Sequence, residues 1–150
     1  MIALIDYKAG NLTSVRKALA AIGADVFTPE TPADLAKAVG LIVPGVGHFG
    51  ATRALDREWV EAILDRIGEG APLLGICLGM QWLFEGSEEA PELRGLGLLA
   101  GSCRKLRPAP SDPPLKVPHV GWNRLDRSGD GSIVEDNLSI IDQRCASSHM

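Results

Sequence analysis

The chain has 150 residues, of which 45% are hydrophobic, 23% charged and 5% aromatic. This length and apolar fraction suit one globular domain with a core, and they exclude a disordered tail. A formal net charge of -4 leaves no excess of Lys and Arg to bind phosphates, so we expect no nucleic-acid partner. No apolar run reaches the roughly 18 to 20 residues of a membrane span. The first residues also lack the positive region of a secretory signal, so we expect a cytoplasmic protein without a membrane partner.

The cysteines and histidines give no sign of a structural metal or a disulfide framework. The three cysteines are an odd number and form no C-x-x-C pair. Only one histidine, His149, lies near a cysteine in the sequence, and that cysteine is Cys145. The sequence therefore favours neither a disulfide scaffold nor a zinc site. A buried small hydrophobic residue is the default interpretation of each cysteine, and a nucleophile is the alternative.

Short apolar runs alternate with helical periodicity through the first half of the chain. Four apolar runs predict short strands, at 2–5, 25–28, 41–43 and 73–76. Apolar residues three and four positions apart predict the intervening helices, at 12–22, 33–39 and 51–67. Asn11 is the expected N-cap of the first helix, and Gly23 is its expected C-terminal glycine.

This order of elements predicts an α/β fold with a doubly wound, mostly parallel, flavodoxin-like sheet and helices on both faces. Ligands of such sheets bind beyond the carboxyl ends of the strands. Three glycine-bearing turns are expected at that edge, at 7–11, 44–50 and 75–79.

The second half of the sequence is less regular. Residues 98–99 and 103–106 are candidate short strands, and 108–114 holds four prolines, which is typical of an exposed loop. After Leu125 the sequence becomes polar and loses its periodicity. We therefore predict one domain over 1–125, followed by a divergent polar tail over 126–150.

The strongest chemical signal is the G-x-C-x-G motif at 75–79, between a predicted strand and a predicted helix. A nucleophile elbow has this form, because its glycines allow a sharp turn that lifts the central side chain out of the sheet. Cys77 would then lie at a helix N-terminus, which favours the thiolate, and the Leu78 N–H would face a developing oxyanion. The alternative is a core cysteine between two packing glycines, and five residues alone leave both interpretations open.

A second glycine-rich segment, P-G-V-G-H-F-G at 44–50, follows the third predicted strand. Its backbone N–H groups suit an anion or an oxyanion. A phosphate-binding loop is the rival interpretation, but no Lys-Ser or Lys-Thr pair follows the last glycine. We interpret His48 as a hydrogen-bonded strut of this turn in preference to a general base.

Together, G-I-C-L-G-M-Q (75–81) and P-G-V-G-H-F-G (44–50) resemble the class I glutamine amidotransferases. Two further motifs, D-Y-K-A-G-N-L-T-S (6–14) and K-V-P-H-V-G-W-N (116–123), are similar to those of the glutaminase subunits of imidazole glycerol phosphate synthase. The four motifs stand in the family's order and spacing, from Met1 to about Leu125.

The resemblance implies hydrolysis of glutamine to glutamate and ammonia through a thioester on the cysteine, with no cofactor or metal. It also implies a heterodimer, in which ammonia passes to a separate (β/α)₈ cyclase subunit that makes imidazole glycerol phosphate in histidine biosynthesis.

The resemblance assigns the site residues position by position. Cys77 matches the nucleophile. The backbone of Leu78 and the turn of Val46 and Gly47 match the oxyanion hole, and in this family that turn needs a partner-induced rearrangement. The positions that match the glutamine-binding residues are Gly45, Gln81 and Glu89. The positions in motifs near the partner-facing mouth of the site are Asn11, His119, Trp122 and Asn123.

The sequence departs from the family's pattern after Leu125. The family's general base comes from a later V-Q-F-H-P-E type motif, and neither this motif nor the family's late strands are found here. We therefore expect an incomplete sheet and a 150-residue form with little or no activity. Two alternatives remain: a non-catalytic form that binds the partner, and a cysteine hydrolase of related fold that acts on another amide. The K-V-P-H-V-G-W-N motif argues against the second alternative.

Overall fold

A four-stranded parallel sheet lies at the centre of the computed structural model, which describes residues 1–107. The strands are β1 (Ile2–Leu4), β2 (Val26–Phe27), β3 (Gly40–Val43) and β4 (Leu73–Gly75). Their spatial order is β2-β1-β3-β4, and every neighbouring pair is parallel. This confirms the predicted α/β fold with a parallel sheet. The predicted domain boundary at residue 125 lies outside the described residues.

The strand order reverses between β1 and β3. The chain moves from β1 outward to β2 on one side, and then from β3 outward to β4 on the other. Such a reversal opens a crevice beyond the carboxyl ends of the two central strands, which is where ligands of open α/β sheets bind. The segments that follow β1 and β3 therefore meet at the position where a site is expected.

Within residues 1–107, the structure has three α-helices and two 3₁₀ helices. The α-helices are α1 (Leu12–Ala21), α2 (Arg57–Gly68) and α3 (Leu78–Trp82), and the 3₁₀ helices are Pro32–Lys37 and Phe49–Ala54. The Asn11 side chain caps α1 by accepting the Ser14 N–H at 3.2 Å, as predicted. Gly23 follows α1 with a φ of +73°, which also agrees with the prediction.

The prediction of one continuous helix over 51–67 is wrong. The structure has a 3₁₀ helix that ends at Ala54, and α2 begins afresh at Arg57. The break occurs because Asp56 adopts an extended conformation and its Oδ1 accepts the N–H groups of Glu58 and Trp59, at 3.0 and 3.2 Å. The apolar stripe continued across this cap, so periodicity alone did not reveal it.

Two other sequence-based element predictions need correction. The helix predicted over 33–39 is the 3₁₀ helix Pro32–Lys37, which a Thr31–Asp34 capping box holds. Residues 98–99 form no strand, and of the strand predicted at 103–106 only Cys103 is extended, in the strand Ser102–Cys103 (β6). That strand pairs with Gly86–Ser87 (β5), which carries no strand-like pattern of its own.

The two faces of the sheet are covered to different extents. On one face, Ala3, Ile5, Leu41 and Val43 pack in a core with helix α2, whose Ile63 is fully buried. On the opposite face, register places Leu4, Ile42 and Leu74 in a row. Leu4 and Ile42 are buried, whereas Leu74 on the outer strand is 54% exposed. The described core is therefore built mainly on one face.

The Asp56 cap gives a direct test of the break before α2. Replacing Asp56 by Ala removes the acceptor of two backbone N–H groups and should lower the free energy of unfolding by about 1 kcal/mol. Urea denaturation measures the change. The matched control is Asp65→Ala in the same helix, since Asp65 lies near the helix C-terminus, where a negative charge is unfavourable. If both variants lost the same stability, Asp56 would not act as a cap.

Candidate active site

Three chain segments meet at the carboxyl edge of the sheet. Two backbone hydrogen bonds join them: the Val46 N–H donates to the Ala9 carbonyl at 2.5 Å, and the Leu78 N–H donates to the Gly45 carbonyl at 3.3 Å. The first links the segment after β3 to the segment after β1, and the second links it to the start of α3. The turns predicted to carry the chemistry are therefore brought together.

Cys77 occupies the turn between β4 and α3, and its backbone is strained. Its φ of 54° and ψ of −108° lie in a region that a residue with a Cβ rarely adopts. Such strain persists only where the surrounding structure enforces it, and it is frequent at active sites. The residue is exposed. The geometry thus favours the nucleophile elbow over a core cysteine.

Close packing around Gly75 and Gly79 enforces this turn. A Cβ added to Gly79 would lie 1.8 Å from the Val43 carbonyl oxygen, and one added to Gly75 would lie 2.7 Å from the Met80 Cα. Both distances are far below van der Waals contact, and the neighbouring atoms belong to the backbone. Only glycine at position 79 allows α3 to approach the end of β3 this closely, and only glycine at position 75 allows α3 to approach the end of β4.

A single peptide unit engages the N–H groups of two of the three residues matched to the oxyanion hole, Val46 and Leu78, and the third, Gly47, follows it with a φ of +96°. In the peptide between Gly45 and Val46, the carbonyl accepts the Leu78 N–H, while the N–H donates to Ala9. A donor bonded within the chain is not available to an oxyanion. The Gly45–Val46 peptide would have to turn to release both groups, and the exposed Val46 side chain leaves it room to do so.

The two predicted glutamine-binding side chains lie near this turn. Gln81 lies one helical turn after Cys77, its N–H donates to the Cys77 carbonyl at 3.0 Å, and its side chain is half-buried. The Glu89 Oε2 accepts the Phe49 N–H at 2.9 Å, which ties the segment after β5 to the end of the glycine-rich turn. The structure therefore places Gln81 beside the turn that holds Cys77, and Glu89 beside the glycine-rich turn that holds Val46.

His48 and Asn11 have local structural partners. His48 caps the 3₁₀ helix, because its Nδ1 accepts the Gly50 N–H at 3.0 Å, which agrees with its interpretation as a strut. Asn11 is exposed at the carboxyl end of β1 and uses its side-chain oxygen to cap α1. The other three predicted partner-facing residues, His119, Trp122 and Asn123, lie outside the described residues.

Sequence reasoning missed Tyr7, which follows β1 directly. Its side chain is 5% exposed, and its hydroxyl has no hydrogen-bond partner among residues 1–107. Burial raises the pKa of Tyr7 to about 12, and the charge of Cys77 adds to the effect. Because the folded state favours the neutral phenol, this contribution to stability is complete below pH ~10 and is lost as the pH rises towards about 12. The sequence signal that could have identified Tyr7 is an aromatic residue close behind the first predicted strand.

An ion pair fixes the backbone next to Tyr7. Lys8 has a positive φ of 64°, and Asp6 accepts both its N–H at 2.9 Å and its Nζ at 2.8 Å. The hydrogen bond from the Lys8 side chain holds the pKa of Asp6 below its usual value. The contacts on both sides of Tyr7 thus define the path of this segment at the edge of the sheet.

Within residues 1–107, no cluster of three or more His, Cys, Asp or Glu side chains could hold a metal ion. No helix in the same range is long and apolar enough to cross a membrane.

Comparison with known proteins identifies the family. The protein-family model described as "Glutamine amidotransferase class-I" matches residues 3–136, so the chain belongs to the class I glutamine amidotransferases. A solved structure described as "Crystal structure of glutamine amidotransferase" superposes with a TM-score of 0.57 at 24% identity. That match covers 66% of this chain and 53% of the other, and it supports the fold alone.

Among curated proteins, the chain is similar to two bacterial proteins named imidazole glycerol phosphate synthase subunit HisH. The protein from Deinococcus radiodurans is 46% identical over 140 residues, which are 87% of this chain and 60% of that protein. The protein from Gloeobacter violaceus is 51% identical over 126 residues, which are 83% of this chain and 54% of that protein. The chain therefore spans a little over half the length of these relatives.

The strain at Cys77 predicts an unusual order of variant stabilities. Cys77→Gly removes the Cβ that makes a φ of 54° unfavourable, whereas Cys77→Ala retains it. Relief of strain of about 1–3 kcal/mol should outweigh the roughly 0.5–1 kcal/mol that glycine loses through chain entropy. We expect Cys77→Gly to be more stable than Cys77→Ala by about 1 kcal/mol in urea denaturation. A less stable glycine variant would show that the turn is unstrained in solution.

Proposed function

We propose that this chain carries the nucleophile half of a glutaminase, which hydrolyses glutamine to glutamate and ammonia. The observation that carries the proposal is the exposed, strained Cys77 at the start of α3, with two backbone N–H donors at the adjoining turn. Strain of this kind holds a side chain in a position that it would not otherwise adopt. The membership of the class I glutamine amidotransferases and the names of the similar proteins support the same reaction.

In the proposed reaction, the Cys77 sulfur attacks the carbon of the glutamine side-chain amide. The carbonyl oxygen becomes an oxyanion, and the N–H groups of Leu78 and Val46 are the donors suited to stabilise it. Breaking the C–N bond with transfer of a proton to nitrogen releases ammonia and leaves a thioester on Cys77. Water then hydrolyses the thioester, which gives glutamate and returns the thiol.

The proposed oxyanion hole requires a rearrangement of the Gly45–Val46 peptide. In the structure, the Gly45 carbonyl of this peptide accepts a hydrogen bond from the Leu78 N–H, and its Val46 N–H donates to the Ala9 carbonyl. Rotation of this one peptide would release both donors in a single step. Contact with a partner is the cause that the family resemblance implies for this movement.

Glutamine itself needs a counter-charge and a carboxamide-binding group. We assign the substrate's ammonium group to the Glu89 carboxylate and propose that Gln81 and the Gly45 backbone complete the substrate pocket. Glu89 is exposed, and its hydrogen bond to Phe49 holds it beside the glycine-rich turn.

We further propose that the partner is a (β/α)₈ cyclase subunit in the cytoplasm that uses the ammonia in histidine biosynthesis. The names of the similar proteins support this partner, because each is a subunit of imidazole glycerol phosphate synthase. Asn11, His119, Trp122 and Asn123 are the residues assigned to the partner-facing mouth. A non-catalytic partner-binding role is the second candidate, since the sequence holds no V-Q-F-H-P-E type motif.

The nucleophile can be tested by covalent labelling with 6-diazo-5-oxo-L-norleucine. We expect Cys77 to be modified before Cys103 or Cys145, because it lies exposed in the elbow while Cys103 is half-buried. Peptide mapping after short exposure identifies the labelled thiol. L-glutamine should slow the labelling and D-glutamine should not, which separates substrate recognition from simple exposure. Equal labelling of the three thiols in the folded chain would refute an activated Cys77.

Turnover is a separate question from labelling. A general base contributes about 10²–10⁴-fold to such reactions, and the members of a catalytic unit depend strongly on one another. The sequence holds no V-Q-F-H-P-E type motif to supply this base. We therefore expect the 150-residue chain to release no measurable glutamate in a coupled assay, even with a cyclase subunit added. Turnover that Cys77→Ala abolishes would show that the chain does contain a base. His48→Ala would then test whether His48, the only histidine among residues 1–107, is that base.

A further inference from the structure

Tyr7 is a buried polar side chain that the proposed reaction does not yet use. It is the only tyrosine in the chain. Its hydroxyl is inaccessible and has no hydrogen-bond partner among residues 1–107. Buried tyrosine hydroxyls are normally satisfied, so an orphaned one needs an explanation.

The position of the hydroxyl suggests that explanation. A Cβ added to Gly45 would lie 2.0 Å from the Tyr7 hydroxyl oxygen and 2.8 Å from the Leu78 Cβ. The hydroxyl therefore lies against the Gly45 α-carbon, on the side that also faces the start of α3. It adjoins the same Gly45–Val46 peptide that occupies both oxyanion donors.

Rotation of that peptide creates a need that Tyr7 can meet. When the Gly45 carbonyl leaves the Leu78 N–H, it becomes a buried acceptor without a donor, which is unfavourable. The Tyr7 hydroxyl is an unused donor beside it. Because the pKa of Tyr7 is raised to about 12, the hydroxyl keeps its proton at neutral pH.

We propose that Tyr7 is a positioning residue, whose hydroxyl donates a hydrogen bond to the Gly45 carbonyl once the Gly45–Val46 peptide has turned. This inference rests on the glutaminase function proposed above. This bond stabilises the state in which the Leu78 and Val46 N–H groups face the substrate. Tyr7 does not touch the reacting atoms and acts through the peptide.

The test compares two reagents on the parent and on Tyr7→Phe, which retains the ring and loses only the hydroxyl, with the proposed cyclase subunit present in both cases. A chloroketone analogue of glutamine reacts with Cys77 through a tetrahedral adduct that needs the oxyanion donors. Iodoacetamide alkylates the same thiol directly and needs none. We expect the chloroketone rate constant at Cys77 to fall about fivefold or more, the effect of one net hydrogen bond, while the iodoacetamide rate constant stays unchanged.

Further measurements separate this role from a structural one. Tyr7→Phe should keep or raise the parent's urea midpoint, since the buried hydroxyl has no partner in the described state and its burial there is unfavourable. Because the chain has one tyrosine, global replacement by 3-fluorotyrosine changes only this side chain, keeps the hydroxyl and should keep the chloroketone rate. In the parent, tyrosinate absorbance should appear near pH 12, against about 10 in the guanidinium-unfolded chain.

The possible failures can be told apart. If the parent chain shows no preference of the chloroketone for Cys77, the glutaminase function fails, and the role of Tyr7 fails with it. If the parent shows that preference and Tyr7→Phe retains it in full, the function stands and the role of Tyr7 is overturned. An equal fall with both reagents would also overturn it, because the hydroxyl would then act on the general environment of the thiol.

Discussion

The first turn of α3 lies directly against the end of β3, and much of the candidate site depends on this contact. Gly79 approaches the Val43 carbonyl so closely that a single added carbon would overlap it. The same carbonyl accepts the Ile76 N–H at 3.0 Å, which completes the approach of β4 to β3. Between these two fixed points the chain has only Cys77 and Leu78 in which to reverse direction. The unfavourable φ of Cys77 follows from that restriction.

The same contact explains why the strain and the hydrogen-bond donors occur together. With α3 held against β3, the Leu78 N–H lies next to the glycine-rich turn that follows β3, and in the described state it is bonded to Gly45. The glycine-rich turn also contacts the segment after β1, because its Val46 N–H donates to the Ala9 carbonyl. One short peptide thus connects all three strand ends, so a change in its orientation would affect the surroundings of Cys77, the Leu78 and Val46 N–H groups and Tyr7 at once.

The elbow is supported more strongly from one side than from the other. Helix α2 and the buried core cover the face of the sheet that includes Val43. Leu74 on β4 is 54% exposed, and Ile76, which follows this strand and precedes Cys77, is 37% exposed. Within residues 1–107, β3 is the only strand neighbour of β4. Exposed apolar residues on an outer strand favour association with other chains. The strand that leads to Cys77 is therefore also the most exposed strand of the described sheet.

The sequence by itself determined the α/β class, the parallel sheet and the position of the elbow. These properties depend on local patterns: short apolar runs for the strands, and a cysteine between glycines at a strand–helix junction. The Asn11 cap and Gly23 were predictable for the same reason, because a helix end requires particular side chains within a few residues of it.

Tertiary structure alone decided the rest. The break at Asp56 prevailed over a continuous apolar stripe, and β5 formed from Gly86 and Ser87 because β6 lies beside them. The orphaned Tyr7 hydroxyl and the shared peptide of the two donors arise where three distant segments meet. No local pattern encodes such contacts, because each depends on which strand ends the fold brings together.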